Sequence, residues 1–246
     1  MFYLFVSLIA ILFSACSDKN EETNIKFNFT FNWDGNTVNL LDFNNTQFTN
    51  EKGTILTITR MRYLLSNIKL YRSEDSIIVG AYNLVDLTNS SGLEYDPEIK
   101  IPSGSYDSLS FTFGFDSIDN LQSYPDLNTV NWNWPTLLGG GYHFMQYEGK
   151  FIDNDGLEQP YAYHMGTARK AENVFEQNYF NVTFKNLDFK NGDANIEIQM
   201  NIAEWFKDPY TWDLNTYSTP LMPNYDAQKL MNANGRNVFS LGKIDQ

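Results

Sequence analysis

Apolar and polar side chains alternate with a period of two over several long stretches of this chain. Ile25, Phe27, Phe29, Phe31 and Trp33 alternate with Lys26, Asn28, Thr30 and Asn32. Leu109, Phe111, Phe113 and Phe115 alternate with Ser108, Ser110, Thr112 and Gly114, and Phe180, Val182 and Phe184 with Asn181, Thr183 and Lys185. Ala194, Ile196, Ile198, Met200 and Ile202 repeat the pattern against Asn195, Glu197, Gln199 and Asn201. Successive side chains of a strand point to opposite faces, so each stretch predicts a strand with one buried and one wet face. Asn191-Gly192-Asp193 marks a turn between the last two. Weaker strand patterns cover 54–59, 66–71 and 77–84. Helical periodicity is sparse; the best candidate spans 225–233, with Asn224 as N-cap and Asn234-Gly235 as a stop. The sum is an all-β fold, an antiparallel β-sandwich with one short C-terminal helix. No internal repeat or interior linker divides it.

The first residues break this pattern. Residues 2–15 carry no charge and are almost wholly apolar, and Ser14-Ala15 then precedes Cys16, the only cysteine. Fourteen apolar residues are too few to cross a bilayer as a helix, which takes about 20, so the segment reads as an export signal. Its end resembles the lipobox of bacterial lipoproteins, whose cysteine is acylated, although Met1-Phe2-Tyr3 supplies no basic residue. The resemblance implies lipidation at Cys16 and an outer-membrane lipoprotein facing the periplasm or the cell surface. The division is then 1–16 signal and lipobox, 17–23 linker and 24–246 folded domain. The acidic residues of the linker resemble the surface-export signal of Bacteroidetes lipoproteins.

Composition narrows the function. With 42% hydrophobic and 16% aromatic residues the chain can fill a core, and its net charge of −13 argues against nucleic acid and against docking on anionic lipid. Membrane contact is therefore expected only through the lipid anchor. A single cysteine, once lipidated, leaves no disulfide and no thiolate chemistry. Two histidines, His143 and His164, limit catalytic schemes further. No nucleophile elbow is present, and Gly139-Gly140-Gly141 lacks the Lys-Ser/Thr of a phosphate loop and reads as a flexible turn feeding a strand at Tyr142. The chain is not expected to be an enzyme.

Five segments carry a family resemblance. They are Arg62-Tyr63-Leu64-Leu65-Ser66-Asn67-Ile68; Gly104-Ser105-Tyr106 with Phe111-Thr112-Phe113-Gly114-Phe115-Asp116; Trp132-Asn133-Trp134 with Gly141-Tyr142-His143-Phe144 and Glu148-Gly149; Tyr163-His164-Met165-Gly166; and residues 234–241. In this order, over residues 25–244, they resemble the MbnP-like domain, named for a methanobactin-associated periplasmic copper-binding protein. The resemblance implies a secreted β-rich protein that binds copper through histidines and a tryptophan oxidised to kynurenine, with a di-haem partner enzyme able to perform the oxidation. The matching positions are Trp132 or Trp134 and His164. Where relatives can carry histidine two residues after the oxidised tryptophan, this chain has Trp134.

The residues themselves allow a copper site. Imidazole suits copper and thioether sulfur suits Cu(I). If Tyr142 to Tyr147 were extended, His143 and Met145 would share a face. A hairpin through Asp153-Asn154-Asp155-Gly156 would bring that strand beside His164, giving a site of His143, His164 and Met145. Plainer readings stand beside it: His143 as an exposed strand residue, His164 as a buried ring bonded to backbone or carboxylate, and the tryptophans as packing. Calcium is a second metal reading, at Asp153 and Asp155 or at Asp116, although the full EF-hand pattern is missing. The rivals to copper handling are a metal-free surface binding or adhesion module and a calcium-stabilised structural subunit.

Overall fold

The computed structural model describes residues 21–246. Cys16, the signal and the first part of the expected linker lie outside the described residues. Strand β1 (Glu22–Trp33) and the short β2 (Asn36–Thr37) and β3 (Phe48–Thr49) precede the long β4 (Ile55–Arg72) and β5 (Asp75–Asp86). Short β6 (Glu94–Tyr95) and β7 (Lys100–Pro102) lead into β8 (Gly104–Phe113), followed by the small helix α1 (Pro125–Thr129). The hairpin β9 (Met145–Ile152) and β10 (Glu158–Met165) and the ribbon β11 (Ala168–Ala171) and β12 (Val174–Glu176) come next. β13 (Phe180–Phe189), β14 (Gly192–Asn201), helix α2 (Tyr225–Gly235) and β15 (Phe239–Asp245) complete the chain.

Two sheets face each other. One runs β15-β14-β1-β2, with β6 and β7 also on β1; the other runs β10-β9-β4-β8-β13, with β3 and β5 also on β4. The fold is the all-β sandwich that the alternation predicts, and the expected hairpin forms between β9 and β10. The inner face of the first sheet presents Ile25, Phe27, Phe29, Phe31, Ile196, Ile198 and Met200, all buried. Tyr63 of β4 ties the two inner faces together: its ring lies 5.9 Å from Phe31, 6.0 Å from Phe113 and 5.5 Å from Phe239.

The structure departs from the sequence reading in several respects. The folded region starts earlier than expected, because β1 begins at Glu22 and Thr23 is fully buried. β1 and β14 pair parallel, Thr23 opposite Gly192 through Asn32 opposite Asn201, where antiparallel pairing was expected. Asn191-Gly192-Asp193 therefore joins strands of different sheets rather than closing a hairpin. The patterns at 54–59 and 66–71 belong to one strand, β4, whose alternation is broken twice. Register shifts at Ile58/Arg60 and Ser66/Lys69 change which parity faces inward, from Leu56 and Ile58 to Met61, Tyr63 and Leu65, then to Ile68 and Leu70.

Helix α2 starts where predicted, with the Asn224 side chain accepting from the Ala227 amide at 3.1 Å. It ends at the expected Asn234-Gly235 pair, with both residues in its last turn. Asn234 donates to the carbonyls of Trp205 and Tyr210, at 2.9 and 2.8 Å, and so pins the helix end to the irregular chain below it. Among the described residues no helix is long and apolar enough to cross a membrane.

Candidate metal centre

Between β4's two register shifts, Met61 to Ser66 are all buried, so this strand is covered on both faces. The segment between β8 and β9 supplies the outer cover. Leu64, Phe115, Leu127, Trp132 and Tyr142 form a small second core there, apart from the main one. Its ends are stitched to the sheet: the Leu64 amide donates to the Phe144 carbonyl at 2.9 Å and the Phe144 amide to the Met165 carbonyl at 2.7 Å. Within the cover, the His143 amide donates to Trp132 and the Trp134 amide to Gly141, at 2.8 and 2.9 Å. The expected flexible glycine turn has a definite structural role. At Gly141, φ is +82° and an added Cβ would lie 2.5 Å from the Asn120 amide, so only glycine fits.

These connections bring four of the predicted residues together. The His143 and His164 rings lie edge to face with centroids 5.2 Å apart. Trp134 meets His143 at 4.9 Å and Trp132 meets it at 5.7 Å. Gly166 makes room for this cluster, since a Cβ there would lie 2.5 Å from the Trp134 indole. The Trp134 ring nitrogen donates to Leu138 O at 3.1 Å, whereas Trp132 Nε1 is buried with no hydrogen-bond partner.

Two readings of these residues are corrected. His143 is not an exposed strand residue: it precedes β9 and is 5% exposed, held under the tryptophans. Met145 is not on the histidine side. It opens β9 opposite Met165 and Tyr63, fully buried on the inner face, while His164 pairs with Gln146 on the outer face. One residue of offset in a strand is enough to exclude the thioether, because successive side chains take opposite faces.

The electrostatics come from residues that the sequence reading did not single out as a site: Arg60, Arg62, Gln146 and Glu148. His164 Nε2 and Arg60 Nη1 both bond Glu148 Oε1, at 2.8 and 2.7 Å. The hydrogen bond from His164 is the largest cause holding the Glu148 carboxyl below its usual range. Arg62 Nε donates to Gln146 Oε1 at 2.7 Å, Asp86 stands 3.7 Å from its Nη1, and its guanidinium lies 5.0 Å over the Trp132 ring. Burial lowers the Arg62 pKa. Burial also pushes His143 well below the usual imidazole value, and the charges of His164, Arg62 and Arg60 add to that shift. Its ring is therefore neutral near pH 7, and its Nδ1 is buried with no hydrogen-bond partner. The missed residues did leave a signal. Arg60 and Arg62 alternate with Met61 and Tyr63, and Gln146 and Glu148 alternate with Met145 and Tyr147, so polar side chains run along one face of two strands.

Chemically, the arrangement is a pair of imidazoles roofed by two indoles. Among the described residues, no group of three or more His, Cys, Asp and Glu side chains is placed to hold a metal ion. A metal here would rest on the two ring nitrogens, a donor set that suits a soft, low-coordinate ion better than zinc's usual four ligands. Two of the three carboxylates considered for calcium, Asp153 and Asp116, serve their own turns. Asp153 accepts from the Asp155 and Leu157 amides at 3.0 and 2.8 Å, and Asp116 from the Ile118 and Asp119 amides, both at 2.9 Å.

The sequence model of the MbnP family matches residues 22–224. Among solved structures, MbnP from Methylosinus trichosporium is similar with a TM-score of 0.55 and 14% identity, over 90% of this chain and 99% of that one, a likeness of fold alone. No curated protein matches the chain.

Proposed function

The chain belongs to the MbnP family, and from that premise we propose that it is a lipid-anchored, extracytoplasmic protein that binds or handles copper at His143 and His164. One observation carries the reading: two imidazoles lie 5.2 Å apart, and the buried one has a ring nitrogen without a partner. Burying an unpaired polar atom is unfavourable, so such an atom calls for an explanation, and a ligand supplies one. Burial keeps His143 unprotonated, the form a metal requires. Bound copper would contribute coordination to these two rings, with Trp132 and Trp134 shielding them from water.

Membership in the family extends the proposal to Trp132 as a target of a di-haem partner that oxidises it to kynurenine. Copper binding by the histidine pair does not depend on that step here. Anchoring through Cys16, display from the outer membrane and the absence of enzymatic activity belong to the same reading.

A second reading has its own support. Ile118, Leu121 and Leu137 stand largely exposed on the segment that covers the site, as a protein-binding surface would present them. Competition with a Cu(I) chelator separates the two. The His143→Ala/His164→Ala double variant is expected to lose Cu(I) that the wild type holds. Equal affinity in both would remove copper and leave the metal-free binding module.

A further inference from the structure

We propose that Glu148, gripped by Arg60, is the positioning residue that fixes His164 with its proton on Nε2, so that Nδ1 of His164 is the ring nitrogen left free for a metal. The proposal deepens the copper reading of the histidine pair and rests on it.

The sheet places the three groups in a row. β9 lies between β10 and β4, with His164 opposite Gln146 on one side and Arg60 opposite Glu148 on the other. Gln146 and Glu148 share a face, so Glu148 is a diagonal neighbour of His164 and a direct neighbour of Arg60. Both reach the same oxygen, Glu148 Oε1: His164 Nε2 at 2.8 Å and Arg60 Nη1 at 2.7 Å.

The chemistry of the acceptor settles the tautomer. An ionised carboxylate accepts hydrogen bonds and donates none. Arg60 donates to it in every state, so the ring atom facing Oε1 must carry hydrogen as well. A neutral imidazole protonated at Nε2 has its lone pair at Nδ1. Carboxylates in this position orient metal-bound histidines and make them better donors.

The other end of the residue is also held. Gln228 of α2 donates to the His164 carbonyl at 2.7 Å and accepts from the Gly166 amide at 3.2 Å. His164 is thus fixed at its backbone by a helix and at its ring tip by a strand. On the facing ring, Nδ1 of His143 is the buried nitrogen that lacks a partner.

The chain has two histidines, so nitrogen-15 labelling of histidine in the full chain gives an uncrowded spectrum. Long-range proton–nitrogen correlations on the metal-free protein are expected to show His164 protonated at Nε2. Glu148→Gln keeps an acceptor oxygen and is expected to keep that tautomer, with Cu(I) affinity within a few-fold of wild type. Glu148→Leu removes the acceptor; the tautomer is expected to be lost and Cu(I) affinity to fall about 10–100-fold. Added Cu(I) is expected to move the Nδ1 resonances of both rings most. A proton on Nδ1 of His164 in the wild type overturns the proposal, as does an unchanged tautomer in Glu148→Leu or a Cu(I) response centred on His164 Nε2. Should Glu148→Leu fail to fold, the wild-type spectrum and Glu148→Gln still decide. The tautomer is read without metal, so absence of Cu(I) binding throughout would sink the copper reading while the spectra judged Glu148 separately.

Discussion

On the inner face of the larger sheet, Tyr63 lies among Phe31, Phe113 and Phe239. One residue earlier along β4, on the outer face, Arg62 lies among Gln146, Asp86 and Trp132. Both residues are buried, yet they are buried by different means. The inner face removes large aromatic area from water, and it carries its own unpaired atoms, Tyr63 Oη, Tyr147 Oη and Trp205 Nε1, at the rims of large rings. Their apolar area outweighs the lost hydrogen bonds. The outer face has a smaller apolar core of its own, with Phe115, Trp132 and Tyr142, and buries charged groups beside it. Its charges are paired, Arg62 with Asp86 and Glu148 with both Arg60 and His164, and the ring of His143 has much less surface to compensate its bare nitrogen. The difference teaches that burial on the inner face makes stability, whereas burial on the outer face keeps the histidine pair away from water.

Three substitutions test that contrast. The largest effect is expected from Phe113→Ala on the inner face. Phe113 stacks on Phe180 at 4.8 Å and also meets Tyr63, Trp205 and Phe239. Denaturant unfolding should show a loss of about 3–5 kcal/mol; a loss under about 1 kcal/mol would mean that this face is not the main core.

Gly166→Ala probes the outer face by steric means. The new methyl would collide with the Trp134 indole and push it off His143. Overpacking of this kind should cost about 1–3 kcal/mol, together with a change in tryptophan fluorescence and weaker Cu(I) retention. A loss as large as that of Phe113→Ala would erase the distinction between the faces.

The smallest effect is a slope. Above about pH 6.5 the His143 ring is neutral whether the chain is folded or unfolded. Below that value the unfolded chain takes up a proton that the folded one refuses, because burial lowers the folded pKa. Stability should therefore fall as pH drops from about 6.5 toward the depressed folded value, by at most about 1.4 kcal/mol per pH unit. Glu148 acts lower: its folded pKa lies below 4.5, so its contribution is present above that value and is lost as pH falls through the folded pKa. His143→Gln should flatten the slope between pH 6.5 and 5. An unchanged slope would show that His143 is not the group refusing the proton.

The contrast also explains what could be read from the sequence. Where one face is apolar and the other wet, alternation announces the strand, and β1, β8, β13 and β14 were legible for that reason. The Asn224 cap of α2 and the Asp153 to Gly156 turn were legible because their side chains act on nearby backbone. β4 was only partly legible, since Arg62 to Ser66 are buried on both faces and two register shifts change the parity. The histidine pair could be anticipated from the hairpin together with the family resemblance. Met145 was misplaced because His143 was read as part of its strand, when it arrives from the covering segment. Arg60 and Glu148 went unnoticed as partners because their meeting depends on β9 lying between β4 and β10, which no local pattern encodes.

The parallel pairing of β1 with β14 imposes an order of events. Thr23 waits for Gly192, and Phe31 for Met200, so the first strand to be synthesised is among the last to find its long neighbour. Contacts so distant along the chain slow folding, because a large loop must close before they reward it. Until then Ile25, Phe27, Phe29 and Phe31 form an apolar ribbon without its lasting partner, a ready template for another copy of the same segment. β1 therefore needs protection from its neighbours until β14 is available.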